Sequence, residues 1–231
     1  MTSSARADVP AIDPRHLLII GAGPGLGASI ARRFAQGGYR VTLMARSAEG
    51  LGRLAKGLAD TGAVVDTVTT DAGDPEGLRA TVDSLYAGTG APGLLVYHAS
   101  QAAPDSLLGS DVADLHHAYD VDVVSGVVAT QIAVPAMRAA GGGTILFTGG
   151  GFADYPIPAL ATLSVGKAAM RSAATILGAE VADDGIRVAS ITVAGQIAPD
   201  TPFDPARIAE TYWTIVQSDD GWQSEFRFEG G

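Results

Sequence analysis

Leu17-Leu18-Ile19-Ile20-Gly21-Ala22-Gly23-Pro24-Gly25-Leu26-Gly27 is the stretch whose reading decides the fold. An apolar run of this kind reads as a strand buried on both faces. The glycines at 21, 25 and 27 let the chain turn sharply from strand to helix and bring bare backbone close to a ligand. A helix starting near Gly25 then aims its N-terminal N–H groups at an anion. An ordinary strand–helix turn can also be rich in glycine. The nucleotide reading gains its weight from the loop's place directly after a first strand.

Working outward, the same alternation repeats. Strand candidates cover 16–20, 39–45, 63–69, 93–98, 143–148 and 186–193, with helical stretches beginning near Gly25, Ala48, Pro75, Val112 and Ala159. A short helix over 205–217 and an alternating strand over 222–228 close the chain. Apolar strands separated by helices predict an α/β protein: a single-domain Rossmann fold, a doubly wound parallel sheet of about seven strands with helices on both faces. Ligands then belong outside the carboxyl ends of the strands. Residues 1–14 read as a loose polar tail, 15–231 as one domain, and about 196–220 as a short segment on the substrate side.

Bulk numbers bound the class. With 231 residues, 47% of them apolar and 17% charged, the chain can bury one large core. A net charge of −10 argues against a nucleic-acid partner. The absence of cysteine excludes disulfides, thiolate metal sites and cysteine nucleophiles. No apolar stretch reads as long enough to span a bilayer, and residues 1–14 lack a signal-peptide core, so the cytoplasm is the default expectation.

After the second strand comes Leu43-Met44-Ala45-Arg46-Ser47. A carboxylate here would hold an unphosphorylated ribose; a guanidinium instead grips a 2′-phosphate or stacks on adenine. Arg46 therefore favours NADP(H) over NAD(H), the alternative being a solvated arginine at a helix start. Asp71 stands where a carboxylate can accept from the adenine amino group. A helix N-cap is the other role for an aspartate here, and Asp74 before Pro75 fits that role better.

Together these residues are similar to the short-chain dehydrogenase/reductase family over nearly the whole chain. Gly21, Gly25 and Gly27 match its T-G-x-x-x-G-x-G loop, with Ile20 where threonine is usual. Ala45-Arg46-Ser47 looks like the form that prefers NADP(H), and Asp71 matches the adenine-contacting aspartate. Val96-Tyr97-His98-Ala99-Ser100 lies where the family has N-N-A-G, and only Ala99 of that motif remains. Asp122 falls at the family's catalytic asparagine, Gly150 at its serine, Leu163 at its tyrosine, and Lys167 at its lysine. Ala194-Gly195 stands for its Pro-Gly. The resemblance implies cofactor contacts from the loop (Gly21, Gly23, Gly25, Leu26, Gly27), from Arg46 and Ser47, from Asp71 and Ala72, and from Ala99 and Lys167. It also implies that the usual proton relay has no donor at Leu163 or Gly150.

Candidates for chemistry are then Lys167, Tyr155, His98 and Asp122. Lys167 can hold the nicotinamide ribose, sit in an ion pair, or donate a proton if desolvated. Tyr155, in the loop before the helix at 159, can act as general acid or form part of the substrate wall, as can Asp154 beside it. His98 is an acid/base or a strap between neighbouring strands. Asp122 would stabilise a charged Lys167. Adjacent His116 and His117 diverge on a helix, so no metal site is expected. A Ser-His-Asp hydrolase would need a G-x-S-x-G elbow that is not present. Trp213 and Trp222 pack on the domain or across an interface. In the family the helices over 112–140 and 159–183 pair between subunits, implying a homodimer or homotetramer. The expectation is an NADP(H)-binding oxidoreductase acting on a small carbonyl or activated alkene with an altered relay. The alternatives are an inactive NADP(H)-binding sensor or partner subunit, or a non-redox enzyme on the same scaffold.

Overall fold

A computed structural model describes residues 9–218 and 220–231. Among these residues seven strands form one sheet: β1 (Ile12–Ile20), β2 (Arg40–Ala45), β3 (Val65–Thr69), β4 (Ala91–Tyr97), β5 (Gly143–Gly150), β6 (Ile186–Val193) and β7 (Glu225–Phe228). The order is β3-β2-β1-β4-β5-β6-β7, and every pairing is parallel. The helices are α1 (Leu26–Gln36), α2 (Ala48–Gly57), α3 (Pro75–Thr89), α4 (Val112–Tyr119), α5 (Ser125–Ala140), α6 (Ala161–Glu180) and α7 (Pro205–Gln217). Strand β1 lies between β2 and β4, so the winding reverses there. That reversal opens a crevice at the carboxyl ends of β1 and β4.

The apolar runs are continuous because both faces are covered. Leu17 and Ile19 pack with Ile30 and Phe34 of α1 and Ile208 and Tyr212 of α7. Leu18 and Ile20 face the other way, toward Leu78 and Val82 of α3, Ala133 and Met137 of α5 and Met170 of α6. Side chains alternating across a strand produce this division. Helix starts follow local chemistry: Ser47 and Asp74 cap α2 and α3 by accepting from Gly50 N and Gly77 N. Pro75 and Pro205 occupy first-turn positions that need no N–H.

Several boundaries differ from the sequence reading. Strand β1 begins at Ile12, where Ile12 and Asp13 pair with Ala91 and Pro92 before a register shift. Residues 12–14 of the expected tail are therefore strand, and residues 1–8 lie outside the described residues. Trp222 precedes β7 and packs edge-on against Phe226, 5.4 Å between ring centroids. Helix α7 does not cover the substrate side: it packs on α1, and Trp213 lies against Phe34 at 5.2 Å. Among the described residues, one continuous helix over Val112–Ala140, 29 residues with an apolar window of mean hydropathy 1.4, is by length and composition alone long and apolar enough to cross a bilayer, contrary to the expectation of no such stretch. In this fold 56% of its apolar window is buried inside the domain. Between α4 and α5 that helix widens into a π turn over Asp120–Val124.

Candidate functional site

The glycines of the first loop have separate jobs. Gly21 adopts φ +92°, and a Cβ there would lie 2.3 Å from the Ala99 nitrogen. Its N–H and that of Ala22 both donate to the Met44 carbonyl, at 2.8 and 2.9 Å. Gly27 is pressed from the other side, its would-be Cβ 3.3 Å from Ala22 Cα and from His98 Cδ2. A Cβ on Gly23 or Gly25 would meet nothing within 4 Å among the described residues, so the space above them is open. Gly21 and Gly27 thus hold the turn closed, whereas Gly23 and Gly25 leave room for a ligand. No side chain among the described residues caps the N-terminus of α1 at Gly25, which leaves main-chain N–H groups for an anion. The Leu26 side chain is buried in the core, so only its main chain can serve a ligand.

On one side of this loop a cavity of ≈ 300 Å³ is lined by Gly21, Ala22, Arg46, Asp71, Ala72 and Ala99, among others. Arg46 is exposed. Ser47 is occupied as the cap of α2, its Oγ accepting from Gly50 N at 3.0 Å. Asp71 Oδ1 accepts from Gly73 N at 2.8 Å, which fixes the loop after β3. Capping of α3 falls to Asp74, as the sequence predicts.

A larger cavity of ≈ 700 Å³ adjoins the first, and its walls include Phe152, Ile157, Leu160, Leu163, Gln196 and Ile197. Gly150, Tyr155 and Lys167 also line it, and His98 and Ser100 belong to both cavities. Of the segment over 196–220, Gln196 and Ile197 reach this wall. Lys167 Nζ donates to the Thr148 carbonyl at 2.8 Å, tying α6 to the end of β5. Leu163 sits one turn earlier on α6 and is buried. A Cβ on Gly150 would lie 4.0 Å from Lys167 Cγ and 3.4 Å from Phe152, so a side chain has room there.

Asp122 sits in the π turn and is not on the wall of either cavity. Its Oδ1 accepts from Gln101 N at 2.9 Å, and its buried Oδ2 has no partner among the described residues. Burial pushes this carboxyl up to about 6, against the pull of the Gln101 N–H and of Lys167. Lys167 is in turn lowered by burial, with Asp122 opposing. The two groups therefore sense each other, but Asp122 acts from behind the wall.

His98 straps β4 to β5: its Nδ1 lies 2.9 Å from Thr148 Oγ1. Burial, with Lys167 nearby, lowers it to about 4. Of the two sequence readings, the strap between neighbouring strands is the one this geometry fits, and the lowered value disfavours a charged ring at neutral pH. Tyr155 stands at the cavity mouth, 79% exposed. Asp154 is engaged elsewhere, paired with Arg171 and, at 2.8 Å, with Arg227. Two contributors escaped the sequence reading. Tyr212 lies 2.8 Å from Thr148 Oγ1, although its place in an amphipathic helix marks it only as core. Asp105 caps α6 from a distant loop, with nothing in its own neighbourhood to announce it.

A parallel sheet whose winding reverses beside an open glycine loop, with a cavity at that reversal, defines a protein of the Rossmann class. The family pattern described as short chain dehydrogenase matches residues 15–202, and the chain belongs to that family. It is 30% identical over 197 residues to bovine (Bos taurus) dehydrogenase/reductase SDR family member 4, across 81% of this chain and 68% of the bovine protein. It is 31% identical to the pig (Sus scrofa) counterpart but spans only 64% of that protein's length. Sulfoacetaldehyde reductase 2 of Chromohalobacter salexigens is 28% identical over 204 residues, covering 87% of this chain and 75% of the reductase. Among solved structures, L-sorbose reductase from Gluconobacter frateurii, complexed with NADPH and L-sorbose, superposes with a TM-score of 0.86 at 25% identity, over 96% of this chain and 97% of that one.

Proposed function

We propose that the protein is an NADP(H)-dependent oxidoreductase of the short-chain type, acting on a small carbonyl compound or activated alkene with an altered proton relay. The observation that carries this reading is the pair of cavities meeting at His98 and Ser100, with Arg46 on one and Lys167 on the other. An extended dinucleotide fits that layout: the open space at Gly23 and Gly25 and the uncapped start of α1 suit a pyrophosphate. The NADPH complex of the similar L-sorbose reductase supports it. When bound, the cofactor supplies or accepts a hydride. Arg46 grips the 2′-phosphate, Asp71 accepts from adenine, and Lys167, held by the Thr148 carbonyl, donates to the ribose hydroxyls. The apolar wall of Phe152, Ile157, Leu160 and Leu163 takes the body of the substrate. Leu163 and Gly150 supply no proton. Tyr155 is the phenol on the lining with no side-chain partner among the described residues, and it is assigned the proton transfer.

NADPH should quench or enhance protein fluorescence on titration, and its absorbance should fall with some member of a panel of carbonyls and enones. Tyr155→Phe should lower kcat at least tenfold while leaving NADPH affinity in place. Buried Leu163 and the retreat of Asp122 from the wall favour a second reading, an inactive NADP(H)-binding sensor or partner subunit. Tight NADPH binding with no turnover across the panel would decide for it.

Exposed Val124, Val165 and Ile176, on the π turn and α6, support a homodimer or homotetramer built on these helices.

A further inference from the structure

Beneath the junction of the two cavities runs a buried polar chain. Tyr212 is fully buried on α7, and its hydroxyl lies 2.8 Å from Thr148 Oγ1. Thr148 Oγ1 lies 2.9 Å from His98 Nδ1. No other side-chain partner of these three groups is found among the described residues. His98 Nε2 likewise has no protein partner there, and His98 lines both cavities.

Counting protons fixes the direction of the chain. Tyr212 and Thr148 bring one hydroxyl proton each, which matches the two contacts, Tyr212 to Thr148 and Thr148 to His98. If His98 also carried a proton on Nδ1, three donors would share two contacts, and one buried O–H or N–H would be left idle. Nδ1 is therefore the acceptor, and the ring's proton sits on Nε2. Lys167 is the charged group whose field reaches the ring, and it opposes a second proton.

We propose that Tyr212, Thr148 and His98 form a one-way hydrogen-bond chain that fixes His98 as the Nε2–H tautomer, a neutral donor to an oxygen of the bound dinucleotide where the two cavities meet. The ligand half of this statement rests on the NADP(H) reading above; the tautomer does not. A dinucleotide running from one cavity to the other must pass His98, whose ring also packs against Gly27 in the first turn of α1. The donor so created stands in a wall where Leu163 and Gly150 offer none.

Nitrogen NMR of ¹⁵N-histidine-labelled protein tests it. The chain has 4 histidines, and the signal lost in His98→Gln identifies the one in question. At pH 7 the free protein should show His98 neutral, with Nε2–H in at least about tenfold excess. Thr148→Val, which removes the hydroxyl that Nδ1 accepts from, should bring that excess down toward the free-imidazole ratio. A wild-type ring protonated on Nδ1, or charged at pH 7, overturns the assignment even if Thr148→Val fails to fold. Adding NADPH should then move the Nε2–H resonance. His98→Leu should weaken NADPH binding about tenfold, and His98→Gln, which keeps an N–H at similar reach, should recover most of it. Bound NADPH with an unmoved resonance removes the ligand contact. Failure of NADPH to bind at all removes the ligand contact together with the functional reading, while the tautomer still stands or falls on its own signal.

Discussion

Asp122 keeps one buried carboxylate oxygen without a partner, and the consequence is a pH dependence. In the folded protein its proton is held up to about 6, whereas a free aspartate releases it near ~3.9. Its contribution to stability is thus fully present below about 3.9 and lost as pH rises through about 6. Asp122→Asn removes the ionisation and keeps an acceptor for Gln101 N. The variant should gain on the order of 2 kcal/mol over the parent at pH 8 and little at pH 4.5. Denaturant melts at both values check this, and a gain independent of pH would refute the assignment. Arg46 carries a prediction of its own. Arg46→Ala should weaken NADPH binding about 10- to 100-fold, the size of a charge-assisted contact, and leave NADH binding nearly unchanged. Equal losses for both would mean that the guanidinium stacks on adenine and does not grip a phosphate. Residue types made Arg46, Asp71 and Lys167 candidates in the sequence, and each lines one of the two cavities. The lowering of His98 was not legible, because it comes from burial and from Lys167, on a helix far along the chain.

Helix α6 presents Leu163 and Lys167 to the larger cavity, yet its own N-cap, Leu160, makes no side-chain hydrogen bond. Asp105 supplies the cap across the loop: Oδ1 accepts from Ala161 N at 2.6 Å and Oδ2 from Thr162 N at 3.1 Å. Asp105→Ala should cost about 1 kcal/mol and speed amide exchange at Ala161 and Thr162. Unchanged exchange there would show that the loop does not hold the helix. The carboxyl is kept low chiefly by its Thr162 hydroxyl contact, so the cap is present above the free-aspartate range and weakens only as pH falls through the lowered value. Elements with a strict apolar period were legible from sequence: all seven strands among the described residues overlap their expected ranges, β7 as the end of the stretch over 222–228. The start of β1 was hidden because Asp13, Pro14 and Arg15 interrupt the period. Gly93 on β4 makes the irregularity possible, since a Cβ there would lie 2.6 Å from Pro14 Cα.

At the scale of the whole molecule, the sheet divides the chain between a face packed by α1 and α7 and one packed by α3, α5 and α6. Ile176 is 55% exposed on α6, and Val124 is 38% exposed on the π turn that packs against α6. If copies pair through this layer, Ile176→Glu should shift the species seen by light scattering toward the monomer, with the melting temperature changed by a few degrees at most. A monomeric parent protein would remove the oligomer proposal. Strand periodicity, the glycine loop and the caps are short-range properties, so the sequence by itself determined the doubly wound class, the position of the dinucleotide loop and the family. Tertiary structure alone decided what surrounds each polar group. It set Asp122 behind the cavity wall, joined Tyr212 to His98 through Thr148, and carried Asp105 to the head of α6. The physical reason is that burial and hydrogen-bond partnership depend on residues brought together from distant parts of the chain, and these control protonation. At the glycine loop, neighbours in sequence are also neighbours in space, so what can be read there is already local.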